Sequence, residues 1–562
     1  MVTGFVAVSV GQLVSGFARP QGSPVAAVGS MAIDFTPPPV KNFAISAFGS
    51  HDKLVLVSGV LVILAVFAAL IGAQAMRRVG YGLAGLAAFT VIGLVAALTR
   101  PNAEVVDALP TVFGAAAGVI ALLRLVRVPD APAGAPAISA RTGTGAPVWT
   151  GVGAPAPAPA SPGPAVPEDA ADTPGGPDES GPENPWRPIT VGGPPRRPDQ
   201  GIGQPGAPGH PERRSFLVTS SVAVAAGAVS LIAGRVLTER SSVTTARSAV
   251  RFPAPARRAP PLAAGSNLDI RGLSPFITPN GAFYRVDTAL ILPEISPQNW
   301  QLRIHGMVDR EITISFAELL KRPLIEDYVT LTCVSNPVAG PYVGNARWLG
   351  ASLASLLRSA RVQAGADQLL CTSTDGFTSG TPIQAILDGR DALLAVAMNG
   401  APLPVAHGFP VRMVTPGLYG YVSATKWVTD IKVTTFGAET AYWAQRGWDQ
   451  QAPIKTESRI DLPLSSVKAG RTPVAGVAWA QHKGIDAVHV RVDRGPWRQA
   501  QLAAVPGIDT WRQWVWEWDA APGRHTIEAR ATDATGYTQT ALQQPPEPNG
   551  ATGYPTVQVT VN

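Results

Sequence analysis

The chain has only two cysteines, Cys333 and Cys371, among 562 residues. It contains no CxxC, CxxCH or Cys/His zinc spacing, which excludes iron–sulfur clusters, c-type haem and structural zinc held by this chain alone. Histidine is also scarce, with seven residues far apart in sequence. Charged residues make up 15% and the formal net charge is +6, with no dense Lys/Arg block. The electrostatic footprint of a nucleic-acid-binding protein is therefore missing.

What is present is apolar surface and proline. Hydrophobic residues reach 46% although the chain carries 54 prolines, so the two must be segregated. Long apolar runs occupy Leu54–Ala75, Val79–Leu98 and Val105–Val126, each near the roughly 20 residues of a membrane-spanning helix. A shorter run, Gly4–Phe17, reads as a first span or as a signal peptide without the usual basic start. Residues 129–212 are dense in Pro, Ala and Gly, the composition of an extended linker. Arg213-Arg214-Ser215-Phe216-Leu217 then precedes an apolar run to Gly234. That pattern resembles a twin-arginine export signal, and also fits an ordinary charge pair flanking a helix. Cytoplasmic placement of Arg77-Arg78, Arg124/Arg127 and Arg213-Arg214 satisfies one topology. Five spans then put everything after Gly234 outside the cytoplasm, with Arg100 as a mild exception.

The second half reads as soluble. Residues 265–440 interleave strands (Tyr328–Thr332, Gln368–Thr372, Trp427–Val433) with helical spacing over Leu349–Ser359, an α+β pattern. Residues 453–562 show short strands at Val474–Ala480, Ala487–Arg494, Trp511–Trp518, His525–Asp533 and Thr556–Val561. Turn signals separate them, as in a small immunoglobulin-like β-sandwich. Trp514, Trp516 and Trp518 alternate on one face, which favours core packing over ligand stacking. The chain is thus multi-domain: membrane helices over 1–128, a linker, a further helix within 213–240, an α+β domain and a C-terminal sandwich.

Cys333 follows an apolar strand and precedes the loop-forming Val334-Ser335-Asn336-Pro337. A thiol at a strand end is rigid and can face a cleft, and a thiolate suits a soft or high-valent metal. A disulfide to Cys371 or a filler role in the core are the other readings. Cys371 lies inside a strand-like run, which suits a filler.

Downstream, Asn399-Gly400-Ala401-Pro402-Leu403-Pro404, His407-Gly408-Phe409-Pro410-Val411-Arg412, Pro416-Gly417-Leu418-Tyr419-Gly420 and Lys426-Trp427 follow one another in order. Together they resemble the signature of the sulfite oxidase family of molybdopterin enzymes. Phe283-Tyr284-Arg285 and Thr332-Cys333 before Gly344-Asn345-Ala346-Arg347-Trp348 resemble that family's early cofactor segment and its cysteine loop. The resemblance covers about 275–435. It implies molybdenum–molybdopterin, with Cys333 as the metal ligand. It implies that His407 and Arg412 hold the pterin and its phosphate, and that Asp375 bonds the pterin ring. Lys426, with the backbone of Ala424 and Thr425, would contact the phosphate end. Phe283, Tyr284 and Arg285 would line the cofactor, Arg285 also near the substrate. For His407 alone, without this string, a satisfied loop histidine would be the preferred reading. The sandwich sits where the family has its dimerisation domain, which implies a homodimer.

The departures bear on substrate. Arginines that family members carry just after the cysteine are replaced by Asn336-Pro337-Val338. The catalytic tyrosine position is Phe377, which has no hydroxyl. The Pro545–Tyr554 loop and the segment after Gly420 also lack the family's arginines. A small-molecule substrate less anionic than sulfite is expected, or an S-oxide or N-oxide in the reductive direction. A non-catalytic surface binding protein is the rival from another class. Only His51 lies near the spans, so no haem is expected in this chain. A separate cytochrome or quinone would take the electrons.

Overall fold

The computed structural model describes residues 1–19, 22–37, 40, 52–100, 103–126, 211–240 and 243–562. The Pro-rich segment read as a linker, and His51, lie outside the described residues, as do the side chains of Arg213 and Arg214.

The N-terminal region is helical: α1 (Val2–Phe17), α2 (Pro24–Phe35), α3 (Asp52–Ala75), α4 (Val79–Leu98), α5 (Leu109–Val126) and α6 (Pro211–Arg240). Within it, Val55–Ala75, Val79–Leu98, Val105–Leu125 and Leu217–Gly234 are long and apolar enough to cross a membrane. At 1.5 Å per residue, the 16 residues of α1 reach about 24 Å, short of a hydrocarbon core of about 30 Å. Gly4–Phe17, which the sequence reads as a first span or a signal peptide, lies within α1, and no sequence feature announces α2. Small residues bring α1 against α5. A Cβ on Gly114 would meet the Ala7 carbonyl oxygen at 2.5 Å, and one on Gly118 the Ala7 Cβ at 3.1 Å. This is the small-xxx-small spacing that lets helix backbones approach. Leu61, Val62, Ile63, Val66, Phe67 and Leu70 of α3 are exposed, an apolar face larger than soluble proteins leave to water.

After a short helix α7 (Thr244–Ala249), the central region holds β1 (Gln301–Gly306), β2 (Ile312–Ser315), β3 (Leu324–Thr332), β4 (Val343–Ser352), β5 (Gln368–Ser373), β6 (Thr378–Pro382), β7 (Leu393–Met398), β8 (Ala401–Pro402), β9 (Arg412–Val414) and β10 (Val428–Thr434). One sheet runs β2-β1-β10-β5-β6, the other β3-β4-β7-β8 with β9 on β7. All six residues of β7 are buried, as expected for an apolar run covered on both faces. Helices lie between the strands, so the region is α+β as read from sequence.

Two details differ from the sequence reading. Leu349 lies in β4 and not in the helix expected over Leu349–Ser359. It pairs with Glu326 on one side and Ala397 on the other. The helix begins at Leu353, where the Ser352 hydroxyl accepts the Ser355 N–H at 3.2 Å, a side-chain N-cap. Leu353, Leu356 and Leu357 then face the core as expected. Trp427 precedes β10, its φ of 50° turning the chain before the strand.

The C-terminal region holds β11 (Glu457–Leu462), β12 (Ser466–Val467), β13 (Gly470–Trp479), β14 (Ile485–Val492), β15 (Arg498–Gln499), β16 (Gln501–Leu502), β17 (Arg512–Ala520), β18 (Gly523–Asp533) and β19 (Thr556–Val561). They form a four-stranded sheet, β11-β13-β17-β16, and a five-stranded sheet, β12-β19-β18-β14-β15. One core, with Val474, Val488, Trp514 and Ile527, draws on both sheets. Alternation along β18 buries Ile527, Ala529, Ala531 and Asp533. Trp514 and Trp518 are buried and Trp516 packs partly buried against the same core, so the tryptophan stripe is packing. Trp514→Ala should cost about 3–5 kcal/mol of stability, and Trp516→Ala less. Denaturant unfolding of the purified chain, followed by tryptophan fluorescence, measures both.

Candidate functional site

Cys333 ends β3. Its N–H donates to the Tyr342 carbonyl at 2.9 Å, and its own carbonyl accepts the Asn336 N–H at 3.1 Å. The Asn336 side-chain oxygen in turn accepts the Tyr342 N–H at 2.8 Å. The loop is thereby closed on itself, and it presents the thiol to a large cavity. Cys333 and Cys371 are both free, which removes the disulfide reading. Cys371 is fully buried in the central core, and burial pushes its thiol up to about 12, which is the inert filler case. Burial also pushes the Cys333 thiol up. Hydrogen bonds from the Ser335 backbone and hydroxyl and the charge of Lys426 oppose that shift.

The cavity has a volume of about 910 Å³. Phe283, Tyr284, Arg285, Cys333, Asp375, Phe377, His407, Arg412, Ala424 and Lys426 all line it. The sequence placed these residues on segments more than 140 positions apart, and the fold brings them together. Thr425 is the exception: its hydroxyl is buried against that of Ser379, which leaves its backbone as the part able to reach a ligand.

The rings are ordered by stacking. Phe283 lies 5.3 Å from Tyr284 in a stacked pair and 5.6 Å from His407 edge-on. The His407 Nε2 meets the Asn280 carbonyl oxygen at 3.2 Å. Burial, then the charges of Arg412 and Lys426, lower its pKa to about 4. The imidazole is neutral at physiological pH and leaves the positive charge of the site to the two cations.

Those cations are buried at a cost. The Arg412 guanidinium donates to the carbonyls of Met413, His407 and Ala424 at 3.2–3.3 Å and lies 5.1 Å from the Trp348 ring centre. Among the described residues no carboxylate forms an ion pair with it. Burial lowers its pKa to about 10. The Lys426 ammonium donates to Asp287 at 2.6 Å and to the Ala406 carbonyl at 3.2 Å. Burial nevertheless lowers its pKa to about 8, outweighing the Asp287 attraction. Asp287 also accepts from the Arg285 Nε at 2.8 Å. A single carboxylate thus serves two cations while Arg412 has none. Such a surplus of buried positive charge, beside a thiol, fits a group carrying a phosphate and offering sulfur ligands to a metal. Asp375 completes this part of the wall. Burial raises its pKa, against hydrogen bonds from Ser373 and the Phe377 N–H.

A second set of lining residues is aromatic or imino: Tyr421, Trp443, Trp448, Pro337, Pro545 and Pro546, with Glu547 beside them. The last three come from the C-terminal region. Lys455 ties their loop down through the Asn549 side chain at 2.8 Å and the Gly550 carbonyl. Sequence reasoning missed Asp287, although it stands two residues after Arg285. It also missed Tyr342, Trp443 and Trp448, which carry no motif.

The oxidoreductase molybdopterin binding domain family matches residues 289–443. The chain is 30% identical over 290 residues to the sulfite oxidase of Gallus gallus, covering 43% of this chain and 62% of that protein. It is 31% identical over 149 residues to the uncharacterized oxidoreductase YuiH of Bacillus subtilis, covering 26% of this chain and 72% of that protein. The sulfane dehydrogenase SoxCD of Paracoccus pantotrophus superposes with a TM-score of 0.44 at 22% identity, over 50% of this chain and 79% of that one. The chain spans between half and two thirds of the length of the sulfite oxidases of chicken, rat, mouse and human that it matches. With the cysteine loop and the buried cations inside the matched residues 289–443, the chain belongs to the sulfite oxidase family of molybdopterin-dependent oxidoreductases.

Proposed function

We propose that this chain is a membrane-anchored oxidoreductase that transfers an oxygen atom to or from a small organic substrate, with its catalytic region outside the cytoplasm. The observation that carries the reading is the cavity in which the Cys333 thiol, the neutral His407 and the buried cations Arg412 and Lys426 share one wall. When bound, molybdenum–molybdopterin supplies two-electron oxygen-atom transfer. Cys333 would hold the metal. Arg412 and Lys426 would hold the phosphate, the guanidinium fork matching its oxygens. Phe283, Tyr284, Asp375 and His407 would fix the pterin, with the backbone of Ala424 and Thr425 at the phosphate end.

Substrate choice falls to the other lining set. Sulfite is a dianion and needs cations around it. Here Phe377, Trp443, Trp448, Pro545 and Pro546 offer apolar faces, Glu547 offers a negative charge, and Arg285 is tied to Asp287. Such walls favour a neutral or organic molecule such as a thioether. The same walls would accept an S-oxide or N-oxide in the reductive direction. Phe377 gives no proton, so a proton must come from water or from another residue.

The four long apolar helices support anchoring in a membrane, with Arg77-Arg78 and Arg213-Arg214 cytoplasmic and export through the twin-arginine pattern. The two-sheet C-terminal region supports an immunoglobulin-like fold and a homodimer contact. A separate acceptor would take the electrons.

Purified full-length protein, made in a host that synthesises the cofactor, should contain molybdenum and pterin in equal amounts near one per chain. Absence of both would refute the reading. Cys333→Ser should lose most of the molybdenum, and a merely structural cysteine would leave it unchanged. In a dye-linked assay, sulfite turnover should fall at least tenfold below that of a neutral thioether at equal concentration; faster sulfite turnover would refute the neutral-pocket reading.

Lys426 gives a pH signature. Its pKa is about 8 in the folded chain without the cofactor and near 10.5 when unfolded. The unfolded chain binds more protons between these values, so stability of the cofactor-free protein rises with pH from about 8 to 10.5, by up to ~3 kcal/mol. A bound phosphate dianion stabilises the ammonium, so the slope should vanish in the loaded protein. Lys426→Met should remove it in both. Thermal unfolding across this pH range measures the effect.

A further inference from the structure

A row of aromatic rings runs beside the large cavity. Centre to centre, Phe377 and Tyr442 lie 5.8 Å apart, Tyr442 and Trp443 5.2 Å, Trp443 and Trp448 6.2 Å, and Trp448 and Tyr421 6.0 Å. Phe377, Trp443, Trp448 and Tyr421 line the cavity itself. Phe377 ends the row and also lines a second cavity, of about 170 Å³. At the other end the rings form a corner. Trp448 meets Trp443 at 76° and Tyr421 at 60°.

Backbone hydrogen bonds hold this corner in shape. The Trp448 N–H donates to the Trp443 carbonyl at 3.2 Å, which closes the turn that carries both indoles. Gly447 takes that turn at a φ of 92°, a conformation open to glycine. The Tyr421 hydroxyl donates to the Asp449 carbonyl, and the Asp449 N–H donates to the Pro548 carbonyl at 3.0 Å. The tryptophan turn, Tyr421 and the loop that follows Pro545 are thereby tied together. Val334, next to Cys333, packs in the same cluster as Trp448, Trp443 and Tyr421, so the corner adjoins the cysteine loop.

Two observations give the corner a preference for positive charge. First, the same row of rings already carries a cation. The Arg446 guanidinium lies 3.5 Å from the centre of the Tyr442 ring and donates to the Tyr442 carbonyl at 2.7 Å. Second, a carboxylate stands beside the tryptophan turn. Glu547 lines the cavity, and a Cβ on Gly447 would meet its Oε1 at 3.8 Å. The cations that line the cavity belong to a different group: Arg285 and Lys426 pair with Asp287, and Arg412 donates to the His407 carbonyl. An electron-rich ring face attracts a cation, and several rings around one ammonium act together. A nearby carboxylate adds its own attraction. A neutral group of the same shape gains neither.

We propose that the corner of Tyr421, Trp443 and Trp448 binds the alkylammonium group of a cationic organic substrate, whose reacting atom then lies at the Cys333 end of the cavity. The proposal rests on the oxidoreductase reading above and names its substrate class. The rings supply the cation site, Glu547 supplies the opposite charge, and the tie through Asp449 keeps both in place before the substrate arrives.

The test uses the full chain, made in a host that synthesises the cofactor and held in dodecyl maltoside, which has no choline head group. Choline is the cationic probe and 3,3-dimethylbutan-1-ol its uncharged isostere. Saturation transfer from the protein to the ligand methyl protons reads the binding of each and needs no turnover. Choline should bind at least about tenfold more tightly than the alcohol. Trp443→Leu keeps an apolar side chain but removes a ring, and should bring the two affinities within about twofold; Trp443→Phe should restore part of the preference. Glu547→Gln, at an exposed position, should weaken choline and leave the alcohol unchanged. Choline should also compete with dimethyl sulfide in dye-linked turnover, or with dimethyl sulfoxide in the reverse direction. Equal affinities in the wild-type chain, a preference untouched by Trp443→Leu, or absence of competition would overturn the proposal. A chain that prefers choline but carries neither molybdenum nor pterin would instead sink the oxidoreductase reading, so the two failures are told apart.

Discussion

Two cations, Arg412 and Lys426, are held almost out of water, and one of them, Lys426, is ion-paired to Asp287. Removing a charge from water costs several kcal/mol even after relaxation, and among the described residues Asp287 is the carboxylate that forms an ion pair with Lys426, shared with Arg285. The lowered pKa values of Arg412 and Lys426 record that cost. A folded chain can sustain the arrangement because β7 and its neighbours hold the surrounding segments rigidly, and because carbonyls of Met413, His407 and Ala424 absorb the guanidinium donors. The ring stack of Phe283, Tyr284 and His407 and the closed Cys333 loop are built around the same space. An anionic ligand that relieves the charge therefore also stabilises the fold.

Much of this was legible in the sequence because several of the cavity-lining residues come in a continuous ordered string. Asn399 to Trp427 carries turn residues at fixed offsets, and those turns aim His407, Arg412 and Lys426 at one cavity. Strand alternation in the C-terminal region was equally plain, because β-branched and tryptophan residues repeat at period two between Gly/Pro turns. The rest was hidden for definite reasons. Asp287 acts through two partners, one of them 139 residues away, and no local pattern announces such a contact. Trp443 and Trp448 line the cavity from an irregular segment without periodicity. Leu349 shows helical spacing but is claimed by β4, since strand pairing on both sides outweighs a weak local preference. The short α2 has no long apolar run to betray it.

The departures from the family pattern gain meaning once they are placed in space. Asn336 does more than vacate an arginine position: its side chain closes the cysteine loop through Tyr342. Phe377 belongs to two cavity walls at once. On the function proposed above, the substitutions change the lining together, from a place for a dianion to a place for an apolar molecule, while the segments around Cys333 and Arg412 keep the family's residues.

The tethered Pro545–Glu547 loop has a consequence for how such enzymes diversify. It contributes wall to the reaction chamber, yet it is carried by a region with its own hydrophobic core and is clamped by Lys455. Changes in that loop can alter which molecules enter without disturbing the machinery that retains the prosthetic group. On the proposed function, selectivity and cofactor retention sit on separable parts of the chain, and exchanging the loop between relatives is a direct route to new substrate ranges.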